Sequence, residues 1–265
     1  MKKVRWLDSV CLNPEDQSRK SITAFSSGHQ LHELGFWLHE RSHYPRRKRI
    51  MSNFPREWSD MSNFVVHFTQ GSHEDDGYSR FMGILSSASL IPENRFGIGK
   101  QLAPNGASQE AVCFSEIPPG EWGRLHNRRQ TKYGIGFRKA LLLRDGGGPI
   151  WYAWKESPHW SALRQMMVEG SNNPEAPIWK IAPFVDAPGQ YGQRVYRFDW
   201  EREWRHIGQY NFEPEEVAFL MLPEEHHYAA RQFFHNAVES NLGPGYDCPY
   251  VDPSWDRERI LEAVC

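Results

Sequence analysis

Residues 194–208, RVYRFDWEREWRHIG, constrain the fold more than any other part of the chain. Read as a strand, the segment sends successive side chains to opposite faces. One face collects Tyr196, Phe198, Trp200 and Trp204, and the other collects Arg197, Asp199, Glu201, Glu203 and Arg205. The aromatic set anchors the strand on a core, and the charged set lies opposite. Glu201 and Glu203 then share one face, roughly 7 Å apart along the strand. Two readings stay open for this face. It is a site of chemistry, or it is a half-exposed strand whose cross-strand salt bridges contribute little individually.

The remaining text shows more strands than helices. FVVHFT (64–69), AVCFS (111–115), YGIGF (133–137), PIWYAW (149–154) and EVAFLML (216–222) read as strands. A further short strand is expected within 177–185, and 138–143 is expected to run into a loop at the triple glycine 146–148. Helices are expected over 76–87, over 157–169 with Leu163, Met166 and Met167 inward, and over 224–238 behind Pro223. A last helix follows Ser254, which has the right chemistry for an N-cap. Strands and helices do not alternate strictly, which predicts an α+β domain with mainly antiparallel sheet.

Residues 1–60 differ in character: polar, rich in Ser and His, and carrying the basic run Pro45-Arg46-Arg47-Lys48-Arg49. One amphipathic helix is expected there, over 29–42. The expected organisation is an N-terminal polar and basic extension, 1–60, and a single α+β domain, 61–265.

The formal charge of −2 over 265 residues gives no global drive toward nucleic acid. Cys11, Cys113, Cys248 and Cys265 form no CxxC pair, which argues against a zinc ribbon or a disulfide framework. No apolar stretch has the length of a bilayer span, and a soluble cytoplasmic protein without a membrane partner is expected. Gly97-Ile98-Gly99-Lys100 lacks Walker A spacing, and no GxGxxG follows a strand. No HExxH or GxSxG occurs, and no metal is expected.

Smaller constellations complete the candidate set. His67 and Thr69 share a face of a buried strand, where each needs a hydrogen-bond partner, from a ligand or from the backbone. Ser115 ends a strand just before Pro118-Pro119, as a support for a catalytic group or as a turn former. Tyr133 and Tyr152 belong to aromatic and glycine-rich strands that suit a core or a planar ligand.

The phrases FVVHFT, AVCFSEIP, KYGIGFRK, GGGPIWY, WEREWR and CPYVDPSWDRERI occur in the order seen in AbiGi-like proteins of bacterial abortive phage-infection systems. The resemblance covers residues 63–265 and implies an antitoxin in a toxin–antitoxin pair. A more distant resemblance is to ADP-ribosyltransferases, with His67 and Thr69, then Ser115 or Tyr133, then Glu201-Arg202-Glu203 at the matching positions. It implies a split-sheet fold and NAD as substrate. By that resemblance Glu203 stabilises the oxocarbenium-like state, Glu201 orients the acceptor, and His67 and Thr69 hold the ribose or carboxamide. Tyr133 or Tyr152 stacks on nicotinamide, and Arg205 pairs with a carboxylate or the pyrophosphate.

Two functions are therefore expected to compete. One is a phage-defence enzyme moving ADP-ribose from NAD to a macromolecular acceptor, protein or nucleic acid. The other is a non-catalytic antitoxin that binds a toxin partner. A nucleic-acid-binding regulator working through the 46–49 run is a third.

Overall fold

In the computed structural model, residues 61–69, 77–123, 131–197 and 201–264 are described. The predicted helix over 29–42, the 46–49 run, and Phe198 to Trp200 of the aromatic strand lie outside them.

Seven strands form the main sheet: β1 (Phe64–Thr69), β2 (Ala111–Ser115), β3 (Tyr133–Arg138), β4 (Gly148–Pro149), β5 (Glu203–Ile207), β6 (Val217–Met221) and β7 (Tyr250–Val251). Their order across the sheet is β7-β6-β3-β1-β2-β5-β4. Every neighbouring pair is antiparallel except β6–β7, which is parallel. The expected α+β class with a mainly antiparallel sheet is what the chain adopts.

β1 lies in the middle, and its unbroken apolar text follows from burial on both sides. Val65 and Val66 are both fully buried and point to opposite faces. Fully burying a side chain of this size is worth about 1.5–3 kcal/mol. On the first face Val65, Phe114, Ile135 and Phe137 pack against Phe81 and Leu85 of α1 (Tyr78–Ser87). The long helix over Glu224–Glu239 joins them there through Ala230 and Phe234. On the second face Phe64, Val66, Trp122 and Phe219 pack against Ile260 of the last helix, Arg257–Val264. Gly136 makes that face possible. A Cβ there would lie 2.3 Å from the Phe219 ring, so only glycine lets the ring lie across β3.

The other helices are α2 (Lys139–Arg144), α3 (Pro158–Glu169), α4 (Ile178–Ile181), α5 (Glu224–Glu239) and α6 (Arg257–Val264). Helices α3 and α4 build a third core, in which Leu163, Met167, Trp179 and Val185 meet. Ser157 starts α3 by accepting the Trp160 N–H at 3.3 Å, as a helix N-cap does. Asp252 accepts the Glu224 N–H at 2.7 Å and so fixes the start of α5.

Several local expectations are corrected. Residues 139–144 are helical rather than a loop. Residues 177–185 form α4 and a 3-10 turn, with strand only at Val185–Asp186. Met166 is 41% exposed, because α3 turns only Leu163 and Met167 inward. The last helix begins at Arg257, and Asp256 rather than Ser254 accepts the N–H of its third residue, Arg259, at 2.9 Å. No helix among the described residues is long and apolar enough to cross a membrane.

Candidate functional site

The predicted strand over 194–208 is broken. Arg194–Tyr196 pairs with Gly189–Tyr191 as a separate hairpin, and the sheet strand begins only at Glu203. Arg202 between them takes φ +44, in the left-handed region. A non-glycine residue there interrupts the alternation, so Glu201 precedes β5 and shares no strand face with Glu203.

Register decides what meets what. Ser115 lies directly opposite Val66 on one side and Glu203 on the other, and Cys113 lies opposite Arg205. Opposed residues in an antiparallel pair point the same way. Cys113, Ser115, Glu203 and Arg205 therefore occupy the second face.

Arg205 organises that face. Its side chain is 1% exposed. Nε donates to Glu203 Oε1 at 2.8 Å and Nη2 to Oε2 at 3.1 Å, a two-pronged grip on one carboxylate. Nη2 also donates to Asp186 Oδ2 at 2.5 Å, and Nη1 to the Pro183 carbonyl at 2.6 Å. The Phe96 ring lies 5.0 Å from the guanidinium carbon. Burial alone would favour losing the proton, but the Glu203 and Asp186 charges outweigh it and hold the guanidinium more firmly protonated than usual. The Glu203 N–H donates to the Tyr152 hydroxyl at 3.3 Å. Burial pushes the Tyr152 phenol up, and the neighbouring carboxylates add to the effect. Cys113 is likewise pushed well above the usual thiol range, by burial first and by the Glu203 charge second. The thiol is therefore held neutral and is a poor nucleophile.

A second buried ion pair occupies the opposite face. Lys139 Nζ donates to Glu116 Oε1 at 2.8 Å, with both side chains under a tenth exposed. Trp204 Nε1 donates to Glu116 Oε2 at 2.9 Å, and the Lys139 ammonium lies 5.5 Å from the Trp204 ring centroid.

The predicted site residues divide between the two faces. Ser115, Tyr152, Glu203 and Arg205 come together on or beside the second face. His67, Thr69 and Tyr133 belong to the first. His67 Nδ1 lies 2.9 Å from the Cys113 carbonyl oxygen, and its ring meets Phe114 edge-on at 5.9 Å. Thr69 Oγ1 donates to the Tyr133 carbonyl at 3.4 Å. Tyr133 is fully buried between Tyr78 and Phe81, with no ring face open to stack on nicotinamide. A sheet's thickness therefore separates His67 from Glu203, and the two do not meet in one cleft.

Residue reading missed Asp186, Lys139 and Glu116 as ionic partners. Glu116 follows Ser115 at the end of β2, and no local pattern pairs it with Lys139, 23 residues on. No local pattern marks Asp186 as the partner of Arg205. No group of three or more His, Cys, Asp or Glu positioned to hold a metal occurs among the described residues. A shallow depression of about 490 Å³ on α3, lined by Trp160, Arg164, Val168 and neighbours, shares no lining residue with the Arg205 cluster.

Fold and site together define an α+β protein whose buried Arg205, Lys139 and Glu116 are committed to ionic partners. The family described as "Putative abortive phage resistance protein AbiGi, antitoxin" matches residues 96–237, more than half of the chain, and this chain belongs to that family. The match lies inside the 63–265 stretch expected from the quoted phrases. No curated protein matches the chain. No solved structure matches it either, so the sheet carries no assignment to the ADP-ribosyltransferase fold.

Proposed function

We propose that this protein is a phage-defence antitoxin that acts by binding: it restrains a toxin partner and transfers no ADP-ribose. The observation that carries this reading is the family match over residues 96–237, with its description as an antitoxin. The geometry agrees with it. Both oxygens of Glu203 already accept hydrogen bonds from Arg205, and His67 lies on the other face of the sheet. The α3–α4 region and its hairpin also expose large apolar side chains: Trp151 at 48%, Trp154 at 41%, Val168 at 66% and Val195 at 52%. Exposed apolar side chains of this size suit a protein interface.

Co-expression with the toxin of the same abortive-infection system tests the reading. Growth should be rescued, and the two chains should elute together in fixed stoichiometry. Glu203→Gln, where it folds, should rescue as well as the wild type. The opposite result is NAD turnover by the purified chain that Glu203→Gln abolishes at unchanged melting temperature. That outcome would restore the transferase.

A further inference from the structure

The hairpin over 189–196 carries, on the face away from Val195, a surface that the antitoxin reading does not use. Its strands, Gly189–Tyr191 and Arg194–Tyr196, pair with Tyr191 opposite Arg194 and Gly189 opposite Tyr196. Gly192 in the turn takes φ +61, as a two-residue turn with glycine first requires. Directly opposed residues share a face, so Tyr191, Arg194 and Tyr196 stand on one side of the ribbon. The two tyrosine rings meet edge to face at 5.4 Å. Lys155 Nζ lies 4.4 Å from the Tyr191 ring centroid and donates to the Gln190 carbonyl at 3.0 Å. The Tyr191 hydroxyl donates to the Ala187 carbonyl at 2.7 Å, which fixes the ring while leaving the residue 43% exposed.

Within 187–197 the charge has one sign. Residues 187–197 contain Arg194 and Arg197 and no carboxylate. Both arginines are exposed. Neither has an ionic partner among the described residues. Asp186, the acid that precedes the hairpin, is held by Arg205, and Asp199 and Glu201 follow Arg197 in the sequence.

We propose that this hairpin binds single-stranded nucleic acid, with Arg194 and Arg197 on phosphates and the Tyr191 ring stacked on a base. Fixed aromatic rings beside unpaired cations are what such a ligand needs, because every base has a flat face and every nucleotide an anionic phosphate. An acidic protein surface would satisfy the arginines but would bring no planar partner to Tyr191. The hairpin lies outside the 46–49 run in the sequence.

Fluorescence anisotropy on the full chain tests it, with labelled oligo(U) and oligo(dT) of roughly 15 nucleotides and a salt series starting at about 50 mM. The wild type should bind either or both, with an affinity that falls as salt rises. Arg194→Gln/Arg197→Gln should flatten the slope of log affinity against log salt by about 1.4, the loss of two phosphate contacts on a single strand. Tyr191→Leu should weaken binding about tenfold, while Tyr191→Phe should bind within about twofold of the wild type. Melting temperatures taken alongside show that each variant is folded. Absence of wild-type binding at the lowest salt overturns the proposal. So does binding unchanged in the double arginine variant but lost when Arg46, Arg47, Lys48 and Arg49 are replaced by Gln. Poly-glutamate binding as tightly as oligo(U), with no response to Tyr191→Leu, would make the hairpin a protein-docking surface instead.

Discussion

Arg205 grips both carboxylate oxygens of Glu203, the residue two positions earlier on the same strand. Side chains two apart on a strand share a face, so the pair is local. Its consequence is not, because the same guanidinium reaches the Pro183 carbonyl and Asp186. The grip ties the main sheet to the segment that follows α4. A carboxylate that looks poised for chemistry in the sequence is held in a bridge.

Replacing Arg205 by Met should therefore be severe. It leaves Glu203 and Asp186 facing each other without a cation in a partly buried place. Breaking a buried pair by removing one partner costs about 3–5 kcal/mol. Glu203→Gln keeps one acceptor and the Asp186 contact, and should cost less than Arg205→Met. Urea unfolding at neutral pH measures both. Wild-type stability in Arg205→Met would remove the structural role assigned to this cluster.

The Lys139–Glu116 pair allows a cleaner separation of interaction from burial. Lys139→Met strands a carboxylate that is 9% exposed and still accepts from Trp204. Glu116→Leu takes the carboxylate from Lys139 and the acceptor from Trp204. Each single change should cost about 3–5 kcal/mol. The double change Lys139→Met/Glu116→Leu, which buries no charge, should be less destabilised than the two single costs added together. A double-mutant cycle isolates that coupling. Strictly additive losses would mean that the two groups do not sense each other.

Gly136 offers a test of the second face. Alanine there must displace the Phe219 ring, whose nearest atom lies 2.3 Å from the new Cβ. Phe219 is itself fully buried, between Phe64 and Trp122. Overpacking of this kind costs about 1–3 kcal/mol. Gly136→Ala/Phe219→Leu, which removes the ring, should recover part of the loss. No loss in the single variant would show that the ring has room to move.

What was legible in the sequence depended on how local the deciding physics is. β1, β3 and β6 announced themselves because apolar and β-branched residues crowd where both faces are buried. Helix α5 was readable because Ala230 and Phe234 recur at helical spacing behind a proline. The break at Arg202 was not readable, because nothing in WEREWR distinguishes a left-handed residue from an extended one. The α4 turn was missed because Ile178 and Trp179 suit strand and helix alike, and burial against Leu163 and Met167 decides. The candidate site suffered most. His67 and Glu203 are each one strand from β2, yet β2 pairs with β1 and β5 in registers that send them to opposite faces, and only the register carries that information.

Alkaline pH should unfold this protein earlier than its acidic groups alone would suggest. Burial pushes Cys248 from 9.0 up to about 12, and Cys113 also rises well above 9.0. Near pH 9 the unfolded chain begins to lose these thiol protons while the folded chain keeps them. The folded state then binds more protons, so stability falls as pH rises. The contribution is complete below about pH 9 and is lost progressively from there toward the folded-state value near 12. The buried phenols of Tyr210, Tyr246 and Tyr250, also pushed up by burial, act in the same direction from about pH 10. Urea midpoints measured at pH 7, 9 and 10.5 should show little change over the first interval and a clear fall over the second. Cys248→Ala should reduce the steepness of that fall, because it removes one of the titrating groups. A wild-type midpoint that stays level to pH 10.5 would show that these groups ionise as readily in the folded chain as in the unfolded one.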